Sequence, residues 1–140
     1  MKYFAVIDTN VLVGAALKPN SNPGTIFRLI EGEVVVPLIN DEILDEYTKV
    51  LSRPKFGFPK DVVSDIVESI SKNAITVAEN HIDIQLPDEK DRVFYEVVMK
   101  SNETRTSRLA TGNMKHFPAE PFIITPKEFC ELVLKDIGNA

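Results

Sequence analysis

The apolar positions of the chain fall into short runs separated by stretches of a different period. Runs rich in β-branched residues lie at Tyr3–Ile7, Val34–Ile39, Ala74–Val77, Leu109–Ala110 and Phe122–Ile124, and each reads as a strand. The run from Glu33 to Ile39 has no polar alternation, as expected of a strand covered on both faces. Between most of these runs the spacing turns helical. From Asp41 to Leu51, the residues Ile43, Leu44, Tyr47, Val50 and Leu51 form one face, and Ser52-Arg53-Pro54 ends the segment. From Lys60 to about Asn73, Val62, Val63, Ile66, Val67 and Ile70 form a second stripe, entered through Pro59. Thr125-Pro126-Lys127-Glu128 has capping-box spacing with Pro at the first helical position, opening a helix that buries Phe129, Leu132 and Val133. Strands alternating with helices predict a central parallel sheet between two helical layers, a three-layer α/β/α sandwich.

Length and composition narrow the setting. The 140 residues are expected to form one domain, residues 1–140, with a core that needs no disulfide or structural metal. Cys130 is the single cysteine and sits among Phe129, Leu132 and Val133, so a buried thiol in a reducing cytosol is expected. Asp8 arrives too early for the core of a signal peptide, and no apolar run reaches membrane-spanning length. A soluble cytoplasmic protein follows as the expectation. A net charge of −5 argues against a broadly basic nucleic-acid-coating surface but leaves room for a basic rim around an acidic site.

The candidate chemistry is acidic. Asp8 ends the first apolar run, Thr9 and Asn10 follow, and Val11-Leu12-Val13 resumes it. An ionised Asp in that place is costly to bury unless something pairs with it, so the carboxylate either caps a helix or holds a cation. Ligands of open parallel sheets bind beyond the carboxyl ends of the strands, where both Asp8 and Thr111-Gly112-Asn113 fall. Of Glu42, Asp45 and Glu46, Glu46 lies nearest the apolar stripe at about 100° per residue, and the other two point farther toward solvent. Asp88-Glu89-Lys90-Asp91 precedes the helix containing Val93, Phe94, Val97 and Val98. A helix N-terminus explains Asp88 and Glu89, whereas Asp91 abuts the apolar face directly.

Three carboxylates without basic partners repel one another, and the usual remedies are protonation or a hard divalent cation, of which Mg²⁺ or Mn²⁺ is the economical answer. Such an ion activates water and stabilises charge on a phosphodiester. Other chemistries lack their motifs: there is no Gly-rich P-loop, no G-x-S-x-G elbow and no zinc spacing, and His81 and His116 form no evident triad. His81 reads as a surface loop residue. A phosphatase of the haloacid-dehalogenase type also starts with a strand and Asp, but expects a second Asp two residues later, where Asn10 stands.

Asp8-Thr9-Asn10, Asp41-Glu42-Ile43-Leu44-Asp45-Glu46-Tyr47, Arg53-Pro54-Lys55-Phe56, Asp91-Arg92-Val93-Phe94 and Thr111-Gly112-Asn113-Met114-Lys115-His116-Phe117 occur in that order. In these motifs the chain resembles the PIN domain family, most closely its small bacterial subgroup of toxins from toxin–antitoxin systems. The resemblance spans nearly the whole chain and implies an α/β/α fold and metal-dependent RNA cleavage. It implies that Asp8, Glu46 and Asp91 are catalytic and hold the metal, that Asn113 stands where many members have Asp, and that Thr9, Asn10 and Thr111 support the carboxylates. Asn113 removes one charge from that set and should weaken metal binding. RNA is the implied substrate and an antitoxin protein the implied partner, with homodimers common in the family. Arg53, Lys55, Lys115 and His116 are candidates to contact RNA phosphates. The competing expectation is a catalytically weak module that binds RNA or a protein without cutting.

Overall fold

The computed structural model describes residues 2–78 and 80–138. Five strands, β1 (Tyr3–Ile7), β2 (Val35–Ile39), β3 (Ile75–Thr76), β4 (Ser107–Ala110) and β5 (Ile123–Ile124), form one sheet in the order β3-β2-β1-β4-β5. All four pairings are parallel. Parallel neighbours require crossovers, and six helices are available for them: α1 (Thr9–Leu17), α2 (Asn22–Glu31), α3 (Asp41–Leu51), α4 (Lys60–Asn73), α5 (Arg92–Asn102) and α6 (Pro126–Gly138).

The strand order explains the layers. The connections β1→β2 and β2→β3 step toward one edge, and β3→β4 jumps back across β1 to the other side. Because crossovers are right-handed, the reversal puts α5 on the face opposite the earlier helices. There α5 packs on β1, β2 and β4, while α2 packs against α1, α4, α6 and β2. The predicted three-layer α/β/α sandwich is thus the architecture observed. All five residues of β2 are buried, as its lack of alternation requires.

Local signals account for several element ends. At α6, the Thr125 amide donates to Glu128 Oε1 (3.0 Å) and the Glu128 amide to Thr125 Oγ1 (3.1 Å), the expected reciprocal cap. Asn40 caps α3 by accepting from the Ile43 amide at 2.9 Å. Cys130 is buried and its thiol faces the Asn22 carbonyl.

Several boundaries differ from the sequence pattern. β4 begins two residues early, at Ser107, because the Ser107 hydroxyl is buried against that of Ser101 (2.7 Å), a satisfied polar pair that hydropathy does not reveal. β3 is shorter than Ala74–Val77 and β5 shorter than Phe122–Ile124. On α4, Val62 stands off the expected stripe and is exposed, whereas Val63 and Ile70 are buried. Two consecutive helices, α1 and α2, connect β1 to β2.

Candidate active site

Between β1 and β4 the chain reverses its winding direction, and a crevice opens there at the carboxyl ends of the strands. Asp8 is the first residue beyond β1. Its amide donates to the Ala110 carbonyl at 3.0 Å, carrying the β1–β4 ladder one step farther. Asp8 occupies the N-cap position of α1, yet its carboxylate makes no capping hydrogen bond. Instead Asp8 Oδ2 accepts from Thr111 Oγ1 at 2.7 Å and from Asn10 Nδ2 at 3.1 Å. Those supports are themselves braced: Thr111 Oγ1 accepts from the Asn113 amide at 2.9 Å, and Asn10 Oδ1 from the Gly112 amide at 3.1 Å. The loop after β4 is therefore tied to the residues that orient Asp8.

A cleft of about 270 Å³ lies over this end of the sheet, with Asp8, Thr9, Asn10, Glu46, Arg53, Asp91, Asn113 and His116 on its wall. Glu46 reaches it from α3, half-buried, while Glu42 and Asp45 on the same helix are exposed. Asp91 ends a 3₁₀ turn, Glu89–Asp91, capped by Asp88 Oδ1, which accepts from the Lys90 amide at 3.0 Å. Its own carboxylate is buried and lies 2.9 Å from His116 Nδ1. Thr111 sits beneath the wall, fully buried. Lys55 and Lys115 lie off the wall and are exposed, with the Lys55 ammonium over the Phe56 ring. His81 is a surface residue, its ring 3.3 Å from Glu96.

The cleft also holds Phe56, Asp88, Lys90 and Phe94, to which the sequence pattern gives no role in the site. Lys90 is hidden in an acidic run that reads as a helix start. Phe56 belongs to the Arg53–Phe56 motif, and its placement beside a carboxylate cluster depends on how α3 ends.

Electrostatics set Asp8 apart. Burial pushes its carboxyl up to about 6, the Thr111 hydrogen bond opposes this, and the negative charge of Asp91 adds to it. Burial likewise raises Asp91; its contact with His116 opposes the shift, and Asp88 and Glu46 reinforce it. Among the described residues neither Asp8 nor Asp91 has a Lys or Arg partner at ion-pair distance. The Thr9 hydroxyl beside Asp8 is the one buried side-chain polar atom among them without a hydrogen-bond partner.

These observations fit a hard cation. The wall carries the carboxylates of Asp8, Glu46 and Asp91 beside the His116 imidazole, and among the described residues no Lys or Arg stands at ion-pair distance from Asp8 or Asp91. The described residues contain no close group of three His, Cys, Asp or Glu side chains arranged for a metal. The expected set Asp8, Glu46 and Asp91 therefore shares one cleft without forming such a group.

A model of the PIN domain matches residues 5–115, most of the chain. The chain belongs to the PIN domain family. The matched stretch includes Asp8, Glu46, Asp91 and Asn113 and stops one residue before His116. PIN domains are in general nucleases that use divalent metals. No curated protein matches the chain.

Proposed function

We propose that this PIN domain is an endoribonuclease that cleaves single-stranded RNA with Mg²⁺ or Mn²⁺. The observation that carries the reading is Asp8: a buried carboxylate, held by Thr111 and Asn10, facing a second acid, without a cationic partner among the described residues. Such an arrangement is unfavourable by itself and becomes favourable when a cation is shared. Asp8 and Asp91 are the residues that would hold the ion, and Glu46 and Asn113 share the same cleft wall. When bound, the ion would supply a more acidic water and a counter-charge for the phosphodiester. Glu46, the most open of the three acids, is the group to take a proton from attacking water, and Arg53 and Lys90 are the cations on the wall available to a phosphate.

The test is incubation of the purified chain with end-labelled single-stranded RNA in Mg²⁺, Mn²⁺ or chelator, beside Asp8→Asn prepared identically. Internal cleavage in metal, absent from chelator and from the variant, is expected. Equal cleavage by wild type and variant would remove Asp8 from the chemistry.

A second reading is a module that binds RNA or protein without cutting. It is favoured by Asn113, neutral where many members carry Asp, and by His116, which already engages Asp91. Binding of the same RNA without cleavage in any metal would select it. The motif resemblance further supports a role as the cytoplasmic toxin of a type II toxin–antitoxin pair; no described helix is long and apolar enough to cross a membrane. Growth arrest on expression, relieved by co-expressing the product of an adjoining small reading frame, is the expected result.

A further inference from the structure

At the rim of the acidic cleft, α3 gives way to a single 3₁₀ turn, Pro54–Phe56, that ends in a sharp reversal. Pro54 presets the first backbone angle of the turn. Gly57, at φ 67° with open space where a Cβ would stand, supplies a left-handed residue that other side chains rarely adopt. The product of this geometry is Phe56, half-buried on the cleft wall with Arg53. Its ring stacks on that of Phe58, centroids 5.7 Å apart and planes within 17°. Phe58 in turn packs against the hydrophobic core, whereas Phe56 does not. An aromatic ring backed by a second ring and left partly open is poorly explained as core packing.

The surroundings say what would cover it. Arg53 and Lys90 share the cleft wall with Phe56, and neither has an ion-pair partner among the described residues. The Lys55 ammonium lies 5.2 Å from the centre of the Phe56 ring. An aromatic surface with one cation over it and two more lining the same cleft as Asp8 and Asp91 matches a nucleotide: a base for the ring and phosphates for the cations. We propose that Phe56, backed by Phe58, is a stacking platform for an unpaired nucleobase next to the cleavage position, with Arg53 on the adjoining phosphate. The proposal rests on the nuclease reading of the cleft and makes it specific to single strands, because the faces of a paired base are already covered by its neighbours in the duplex. An exposed cation–π contact such as that of Lys55 is weaker than base stacking and would yield to it.

The test uses the full chain and a short single-stranded RNA carrying 2-aminopurine, titrated in Ca²⁺ buffer with cleavage followed in Mg²⁺ on parallel samples. Wild type should quench the fluorescent base. Phe56→Leu, which keeps apolar bulk but no ring face, should lose the quench and bind about tenfold more weakly, while Phe56→Trp restores both. Arg53→Gln should keep the quench but flatten the salt dependence by roughly one phosphate contact. The matching duplex should bind Phe56→Leu and wild type alike. Undiminished quench and affinity in Phe56→Leu, or the same loss on duplex, would overturn the platform while leaving cleavage and its Asp8 dependence in place. A wild-type protein that neither binds nor cuts single-stranded RNA would overturn the nuclease reading, and the platform with it.

Discussion

Two acidic clusters lie within a few residues of each other and have opposite fates. Glu89 is paired with Arg92, whose guanidinium also donates to the carbonyls of Ile82 and Ile84. Glu96 accepts from the Ile82 amide at 2.8 Å and faces His81. The Arg92 hydrogen bond holds Glu89 below the usual carboxylate range. Asp91, two residues after Glu89, is pushed the other way by burial, and Asp8 beside it farther still. In the first cluster the negative charge is spent on fixing the segment that leads into α5. In the second, the protein supplies hydroxyl, amide and imidazole groups to orient the carboxylates and places no Lys or Arg beside them among the described residues. Charge count alone does not distinguish them; the presence of a guanidinium does.

The contrast is broken most directly at Asp8. Asp8→Asn should reduce metal-dependent cleavage by at least about a hundredfold, as read from initial rates at saturating metal. The same change should stabilise the metal-free fold by about 1–2 kcal/mol at neutral pH, since it removes a charge that burial and Asp91 both disfavour. A variant that unfolds earlier than wild type in chelator would show that the carboxylate is needed structurally.

The pH dependence gives the same comparison a sign. Folding raises the Asp8 carboxyl from its ordinary 3.8 to about 6, so the folded chain holds that proton more tightly than the unfolded chain. Its contribution to stability is full below the ordinary value, declines as pH rises, and is gone above about 6. Thermal midpoints of wild type and Asp8→Asn in chelator should therefore diverge between pH 4 and pH 7 and converge in acid. Glu89 behaves oppositely: its contribution is present above the ordinary carboxylate range and fades as acid protonates it.

Asn113→Asp sharpens the comparison by adding charge to the side that has no Lys or Arg partner. Mg²⁺ or Mn²⁺ affinity should rise by up to about tenfold, measured calorimetrically, and unchanged affinity would put residue 113 outside the coordination shell. The smallest effect is expected from Glu89→Gln, which should leave cleavage at saturating metal unchanged and lower the thermal midpoint only slightly, because the Glu89 carboxylate is solvent-exposed and Arg92 keeps its bonds to the Ile82 and Ile84 carbonyls.

Much of this arrangement was legible in the chain and some was not. β1 was readable to the residue because its five apolar positions end abruptly at Asp8. Glu46 could be told from Glu42 and Asp45 by helical phase, and the α6 cap by its Thr–Glu spacing. The two helices between β1 and β2 left weaker signals. α1 is apolar on nearly every side and so has no stripe to phase. α2 opens with Asn22-Pro23-Gly24, which reads as a turn; Gly24 is there because any Cβ would meet the Pro19 carbonyl oxygen at 2.0 Å. The His116–Asp91 contact and the Arg92 fork join residues whose meeting depends on tertiary docking, and no local pattern encodes it. Val62 was misplaced because a β-branched residue at a stripe's margin satisfies the pattern whether or not the helix turns it inward.

Tyr47 is fully buried next to Glu46, and its hydroxyl donates to the carbonyl of Ile7, the residue before Asp8, at 2.5 Å. Its ring stacks on Phe94, three residues after Asp91, with centroids 6.3 Å apart. One phenol thus touches the three segments that carry the three acids. None of those segments can lift away alone without stranding a buried carbonyl or opening a void, so the opening motions of the cleft floor should be concerted, and the amides around Ile7, Tyr47 and Phe94 should exchange with solvent at a common, slow rate. The acids would then meet an incoming cation as a preset frame, and the time needed to load it would be set by water leaving the ion rather than by the chain rearranging.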